Sequence, residues 1–277
     1  MRSRRVALSA ALAVCTVVGC DRGAPDPALS ITGAVPAFAL SASSRADKPV
    51  IVLVHGAFAD ATSWQELIPI LQERQYRVIA VQNTLTGLAA DVATTKRVID
   101  AQKGPMIVVG HSYGGAVITG AAAGNPNVKA LVYMAAFAPE VNEPIGSLQN
   151  NYPQTALATA LVPDAAGFLY GDTAKFRDVF AQDLPVRLTR IVAATQKPLI
   201  ASAFGESVHA AAWKTIPSWY IVATEDHALN PNLERFYAKR INAHTTEVKS
   251  SHVVYISHPH DVARVIEEAA SATATQP

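Results

Sequence analysis

Charged residues are scarce in this chain, and neither sign predominates. Asp, Glu, Lys and Arg make up 16% of the 277 residues, and the formal net charge is +1. Proteins that follow the phosphates of a nucleic acid carry a marked excess of Lys and Arg. The near-equal numbers of acidic and basic residues therefore argue against a nucleic-acid partner. Hydrophobic residues make up 50% of the chain, which is enough to build the core of one large domain.

Cysteine is also rare, since the chain has only Cys15 and Cys20. Both lie close to the N-terminus, so we expect the domain that follows them to contain no disulfide. No group of Cys and His residues has the spacing of a zinc site. The sequence therefore predicts no metal site.

The first 19 residues have the pattern of a bacterial export signal. Three arginines among the first five residues precede an apolar stretch at 6–18, which is too short to span a bilayer in the usual way. Residues 17–20, Val-Val-Gly-Cys, then resemble a lipobox, whose cysteine receives a lipid. We expect residues 1–19 to be a signal peptide and Cys20 to be lipidated. The protein would then be exported and anchored in the cell envelope, on its periplasmic or extracytoplasmic face.

Alternatives remain open for this N-terminal region. Cys20 can be an ordinary buried cysteine beside a standard secretory cleavage site, and the arginines resemble a twin-arginine signal as well as a plain one. Residues 20–47 are rich in Ala, Ser, Pro and Gly without periodicity, which is typical of a flexible tether. A competing interpretation places an edge strand at 34–40.

From residue 48 onward, short apolar runs alternate with amphipathic segments. This alternation is typical of βαβ units and predicts an α/β domain over residues 48–277. Helices are expected between the strands, the first of them at 63–73. The six expected parallel strands are 50–54, 77–81, 106–109, 128–134, 219–223 and 245–248.

The segment at about 139–217 interrupts the alternation. It contains several prolines and helix-like stretches such as 185–195, and it falls between two strands of the sheet. This position predicts an inserted helical cap over the carboxyl ends of the strands, where ligands bind in open α/β sheets.

The motif Gly110-His111-Ser112-Tyr113-Gly114 lies between an apolar strand and a helix. It matches the G-x-S-x-G elbow, in which a sharp turn presents a serine above the end of a sheet. Glycine is needed at both ends because strand and helix pack closely beside the turn. The helix that follows adds free N–H groups and a positive dipole end. The motif predicts Ser112 as a nucleophile.

A serine nucleophile needs a base to take its proton and a third group to orient that base. Asp226 follows the strand at 219–223, and His252 lies in the loop after the last strand. The order Ser, Asp, His is the order in which partners of such an elbow occur. We predict the triad Ser112, Asp226 and His252, with Glu225 as the alternative acid.

An acyl-transfer site also needs donors for the oxyanion. The N–H groups of Ala57, after the first strand, and of Tyr113, after the nucleophile, are the candidates. Phe58 and Phe137 lie near strand ends and are candidate substrate-binding residues. The cap adds further aromatic residues, of which we expect at least half to form its own core: Phe168, Tyr170, Phe176, Phe180 and Phe204.

From about residue 49 to 270 the chain resembles the α/β-hydrolase superfamily. It is most similar to a small capped group that contains plant methyl-ester esterases and hydroxynitrile lyases. The matching positions are 54–57, Trp64, 110–115, 225–226 with Pro231, and His252. The resemblance implies a six-stranded parallel sheet, a helical cap, a Ser–Asp–His triad and no cofactor.

Two positions separate the activities within that group. The lyases have Thr where this chain has Gly56, and Lys where it has Val253 after the catalytic His. Val253 has no charge to stabilise a departing cyanide, so the resemblance favours an esterase over a lyase.

We therefore expect a serine hydrolase that cleaves carboxylic esters of small, neutral, partly apolar compounds. Its contact with the membrane is expected only through the lipid on Cys20, and its oligomeric state is left open. Two alternatives use the same scaffold: a non-catalytic protein that binds a small molecule, and a cofactor-free perhydrolase or dioxygenase.

Overall fold

A computed structural model describes residues 48–274 of the chain. The predicted signal peptide at 1–19, the lipidation site at Cys20 and the tether at 20–47 lie outside the described residues, as does the alternative strand at 34–40.

The main sheet has six parallel strands: β1 (Val50–Val54), β2 (Val78–Val81), β3 (Met106–His111), β4 (Val128–Met134), β8 (Ser218–Ala223) and β9 (His244–Val248). Their order in the sheet is β2-β1-β3-β4-β8-β9. The inner strands are buried along almost their whole length because helices cover both faces of the sheet, so they are continuous apolar runs. The edge strands β2 and β9 are more exposed. All six predicted strands are confirmed.

The helices pack on the two faces of the sheet and enclose two apolar clusters, one on each side. Among the helices within residues 48–274, none combines the length and the hydropathy that a membrane span requires. The helices that cover the sheet are α1 (Leu67–Glu73), α2 (Leu88–Asp100), α3 (Tyr113–Ala121), α6 (Pro231–Arg240), α7 (Val254–Ser257) and α8 (Pro259–Thr273).

The helix predicted at 63–73 is made of two pieces. A 3₁₀ helix at Ala61–Glu66 precedes α1. Asp60 caps this 3₁₀ helix, because its carboxylate accepts a hydrogen bond from Thr62 N–H at 2.8 Å. The hydrogen bond of Asp60 sets the start of this 3₁₀ helix. The 3.6-residue periodicity of the apolar positions does not reveal that start.

The segment between β4 and β8 contains the cap. It has two short α-helices, α4 (Phe176–Phe180) and α5 (Val186–Ala194), together with several 3₁₀ turns. It also has three short antiparallel strands, β5 (Leu161–Pro163), β6 (Phe168–Gly171) and β7 (Leu199–Ile200). The prediction of a helical cap did not include these strands, since strands of two to four residues are too short to show an alternating pattern.

Candidate active site

Ser112 occupies the turn between β3 and α3 in a strained backbone conformation. Its φ is 53° and its ψ is −123°, a combination that residues other than glycine rarely adopt. Hydrogen bonds hold the turn, because Ser112 N–H donates to Met134 O and Ser112 O accepts from Phe137 N–H, each at 3.1 Å. The strained turn presents the hydroxyl at the carboxyl end of β3.

Two glycines make this turn possible. A Cβ on Gly110 would lie 2.7 Å from Gly114 O, and a Cβ on Gly114 would lie 2.4 Å from Val54 O. Both distances are shorter than any stable contact between carbon and oxygen. The close packing of β1, β3 and α3 therefore requires glycine at both ends of the motif.

His252 and Asp226 form a buried hydrogen-bonded pair. His252 Nδ1 lies 2.5 Å from Asp226 Oδ2, and each residue is 4% exposed. The other oxygen of Asp226 accepts from the N–H groups of Ala228 at 2.6 Å and Leu229 at 2.9 Å. With Nδ1 donating to Asp226, Nε2 of His252 is the nitrogen that can accept a proton. His252 and Ser112 line one cavity, so the structure brings the three predicted residues together.

Glu225, the alternative acid, lies at the surface instead. Its side chain is 48% exposed and faces Lys249 Nζ at 3.5 Å. Asp226 is therefore the carboxylate in contact with His252.

His111 fixes the backbone of His252. Its Nε2 donates to His252 O at 2.9 Å, and its ring centroid is 4.7 Å from those of both His252 and Tyr255. Burial, together with the neighbouring His252, lowers the pKa of His111 well below its usual value, so its ring is neutral. No sequence signal indicates a bond between residues 141 positions apart.

The two predicted oxyanion donors lie at the same cavity as Ser112. Ala57 and Tyr113 both line it, and within residues 48–274 neither backbone N–H donates a hydrogen bond. Donors held in a site with little water stabilise developing negative charge strongly.

His55 clamps the loop that carries Ala57. Its Nδ1 donates to Gly56 O at 2.8 Å, and its Nε2 accepts from Asn83 N–H at 3.1 Å. Burial lowers the pKa of His55, in keeping with a neutral ring. The clamp joins the end of β1 to the loop after β2. Sequence reasoning placed Ala57 at the site but missed this clamp, because Asn83 is distant along the chain.

A second network anchors Tyr113 at the start of α3. Its hydroxyl donates to Asp91 Oδ2 at 2.9 Å, and Asp91 Oδ1 accepts from the N–H groups of Thr84 at 2.7 Å and Leu85 at 3.0 Å. Burial and the Asp91 carboxylate raise the pKa of Tyr113, so the phenol remains a donor. Sequence reasoning missed Asp91, which looked like an ordinary helix residue.

The cavity beside Ser112 has a volume of about 20 Å³ and a largely apolar lining. The predicted substrate-binding residues Phe58 and Phe137 both line it, and the cap contributes Phe180 and Phe204. The ring of Phe180 is 5.5 Å from that of Phe58 and 5.9 Å from that of His252. The other three cap aromatics, Phe168, Tyr170 and Phe176, are not among its lining residues.

Two cap residues between α4 and α5 hold the loops of the acid and the base. Gln182 Nε2 donates to Glu225 O at 2.5 Å, and Asp183 Oδ2 accepts from Ser251 N–H at 2.9 Å. Glu225 and Ser251 immediately precede the two residues of the Asp–His pair. We call residues 182–183 the cap anchor.

Glu234 on α6 is a buried carboxyl that sequence reasoning did not single out. It is 0% exposed, and its Oε2 accepts from Ala223 N–H at 3.0 Å. Burial and the nearby carboxylate of Asp226 raise the pKa of Glu234 well above its usual value. Both effects favour the protonated form of this side chain. The sequence around Glu234 is typical of an exposed helix, so it did not indicate that this carboxyl is buried.

No group of three or more His, Cys, Asp or Glu side chains is placed to hold a metal ion in the part of the chain that the structure describes.

Comparison with known proteins agrees with this architecture. A carbendazim-hydrolysing esterase of Nocardioides sp. is 31% identical over 159 residues, which cover 51% of this chain and 62% of that protein. A pyrethroid hydrolase of Sphingobium wenxiniae is 25% identical over 259 residues, covering 81% and 88%. An alpha/beta hydrolase of Aspergillus novofumigatus is 26% identical over 246 residues, covering 80% and 97%.

Solved structures have the same fold. The crystal structure of a pyrethroid hydrolase from Sphingobium faniae superposes with a TM-score of 0.69 at 24% identity, covering 82% of this chain and 99% of that one. Polyneuridine aldehyde esterase superposes with a TM-score of 0.68 at 17% identity, covering 80% and 98%. The profile of the alpha/beta hydrolase family matches residues 51–265. The chain belongs to the alpha/beta hydrolase family.

Proposed function

We propose that the protein hydrolyses carboxylic esters of small, neutral, partly apolar compounds, with Ser112 as the nucleophile. The observation that carries this proposal is the buried contact of 2.5 Å between His252 and Asp226, at the cavity that Ser112 also lines. Relatives that are named esterases and hydrolases support ester hydrolysis.

In this mechanism His252 Nε2 takes the hydroxyl proton as Ser112 Oγ attacks the ester carbonyl. Asp226 keeps the proton of Nδ1 in place and stabilises the imidazolium that forms. His252 then protonates the departing alcohol oxygen. A water molecule, activated in the same way, cleaves the acyl-enzyme and releases the acid.

The tetrahedral intermediates place a negative charge on the former carbonyl oxygen. The N–H groups of Ala57 and Tyr113 are the proposed donors to that oxygen. The hydrogen bonds of His55 to Gly56 O and of Tyr113 to Asp91 hold the two segments beforehand. Loss of one such donor typically costs about 3 kcal/mol of transition-state stabilisation.

The lining of the cavity supports the proposed class of substrate. Phenylalanine rings from both the sheet domain and the cap line the site, and among the described residues its lining includes no Lys or Arg. An anionic group on the substrate would find no countercharge there.

The proposal is tested with a chromogenic short ester such as 4-nitrophenyl acetate. Replacing Ser112 by Ala should lower kcat at least about a thousandfold, because the covalent step is lost. Asp226→Asn should lower kcat by about 10³ to 10⁴, since the histidine is then held in the wrong tautomer. Stopped assays of the purified variants, with melting temperatures alongside, measure both effects.

Glu225→Gln is the matched control, because this neighbouring carboxylate is exposed and faces Lys249 at the surface. It should keep kcat within about twofold of the wild type. Equal rates for the wild type and Ser112→Ala would contradict the proposal and favour a non-catalytic binding protein.

A further inference from the structure

The space beside Ser112 is too small for an ester. Its volume is about 20 Å³, and by the same measure one water molecule already needs roughly 10–15 Å³. An ester carries two arms on its carbonyl group. At least one of them must therefore occupy another space that can be reached from Ser112.

A larger groove lies next to this cavity, with a volume of about 210 Å³. One side is the segment 58–65, at the start of the first 3₁₀ helix. The other side is formed by Leu188, Ile191 and Val192 of α5, together with Ile256. We call this space the outer groove.

Phe58 is the residue shared by the two spaces, since it lines both the cavity at Ser112 and the outer groove. It is 4% exposed and has a positive φ of 59°, a strained conformation for a large side chain. It also follows directly after the proposed oxyanion donor Ala57.

The chemistry of the outer groove selects an uncharged apolar occupant. Its α5 side is aliphatic apart from Thr195, whose hydroxyl donates to Ile191 O at 3.0 Å. No Lys or Arg is among the lining residues in the described part of the chain. Three of the polar residues opposite are engaged with one another, because the Asp60 carboxylate accepts from Thr62 N–H at 2.8 Å and Ser63 Oγ donates to Asp60 O at 2.6 Å. Gln65 also lines this side and carries no charge. The Asp60 carboxylate also disfavours an anion.

The size of the groove fits a single aromatic ring with its linker. A cavity of about 150 Å³ with an apolar lining is large enough to bind benzene, and the outer groove has about 210 Å³.

We propose that the outer groove is a second substrate-binding subsite, which holds a ring-sized, uncharged apolar arm of the ester, and that Phe58 is the gate between this subsite and Ser112. The proposal rests on the proposed ester hydrolysis and adds the substrate class, namely esters with one small arm and one arm of about phenyl size.

The test fills the groove from α5. Ile191 lines the groove and is 50% exposed, whereas Val186 on the same helix is 51% exposed and is not among the lining residues. Five positions on a helix separate the two side chains by about 140°, so they lie on different faces. Ile191→Trp is therefore the blocking variant and Val186→Trp its matched control.

Three esters are compared by titration of the released acid: ethyl acetate, 2-phenylethyl acetate and methyl 3-phenylpropionate. The wild type should cleave at least one of the ring-bearing esters with a higher kcat/KM than ethyl acetate. In Ile191→Trp, the ratio of kcat/KM for that ester to kcat/KM for ethyl acetate should fall about tenfold, because the ring loses its apolar site. In Val186→Trp the ratio should equal that of the wild type.

A ratio that changes equally in both tryptophan variants, or in neither, would overturn the subsite while ester hydrolysis itself stands. A wild type that cleaves none of the three esters faster than Ser112→Ala would overturn the proposed function, and the subsite with it. Melting temperatures of both variants show whether the added indole has disturbed α5.

Discussion

Glu234 makes the stability of the protein depend on pH through one buried carboxyl. It faces Asp226 from α6, while Tyr220 lies on the neighbouring strand and the charge of Arg235 acts on it from its own helix. Its pKa is raised in the folded state, so the folded protein holds this proton more tightly than the unfolded chain does. Stability from this group is therefore complete below the usual Glu pKa and falls as the pH rises above it.

Replacing Glu234 by Gln should remove this dependence. The amide can still accept from Ala223 N–H, and it no longer titrates. The difference in melting temperature, variant minus wild type, should begin to rise near pH 4.5, which is the ordinary pKa of Glu. It should rise by roughly 3 °C per pH unit until the pH reaches the pKa of Glu234 in the folded protein. Differential scanning calorimetry between pH 5 and pH 8 measures the difference.

Glu247→Gln provides a control of opposite sign. Its hydrogen bonds to Arg235 lower the pKa of Glu247, so that pair stabilises the fold above the usual Glu pKa and is lost in acid. The variant should be slightly less stable than the wild type at neutral pH, with the small difference expected of an exposed pair. A melting-temperature difference for Glu234→Gln that stays constant across the pH range would disprove the raised pKa of Glu234.

The serine turn depends on glycine through sterics between three elements. Gly114→Ala would place a Cβ 2.4 Å from Val54 O, so β1 and α3 must separate. We expect this variant to lose about 3 kcal/mol of unfolding free energy, the upper range for overpacking. In Gly205→Ala, by contrast, no heavy atom lies within 4 Å of the new Cβ, and the change should stay within about 0.5 kcal/mol.

Urea unfolding of both glycine variants measures these energies. If Gly114→Ala were as stable as Gly205→Ala, α3 would have room to move away from β1, and the strained φ of Ser112 would not be fixed by this packing.

The strands were predictable because each inner strand is buried on both faces, which leaves a continuous apolar run in the sequence. The elbow was predictable for a related reason, since only glycine fits where Gly114 meets Val54 O. Asp226 and His252 could be found by their place after strands. Each of these signals comes from residues that are close together in the chain, so it can be recognised in the sequence.

The features of the site that could not be predicted from the sequence depend on contacts between distant segments of the chain. The sequence showed that the cap has aromatic residues, but only packing separates Phe180, which lines the cavity, from Phe176, which packs beside it at 4.7 Å. His55 and Glu234 owe their roles to Asn83 and Asp226 on other segments. No spacing rule connects these pairs.

At the scale of the whole molecule, we propose that the protein is exported and held at the cell envelope by a lipid on Cys20. An acyl chain adds about 0.8 kcal/mol of membrane affinity for each buried CH₂. The wild type should therefore be found in the membrane fraction of bacteria that express it, and Cys20→Ala should be soluble or secreted.

Cys15→Ala is the matched control, because Cys15 lies within the predicted signal peptide. It should partition like the wild type. Retention of Cys20→Ala in the membrane fraction would rule out the anchor, and ester hydrolysis assayed in the same fractions follows the enzyme without an antibody.

The cap anchor has a consequence for how variants of this protein will behave. Because Gln182 and Asp183 bind the loops of both Asp226 and His252, the cap is not a detachable lid over the catalytic machinery. Substitutions at 182–183 should slow turnover of every ester by a similar factor, whereas substitutions at the positions of α5 that line the outer groove should change which esters are preferred. A mutational screen of this one insertion would then separate into two phenotypes, one of rate and one of selectivity, with a boundary of only a few residues between them.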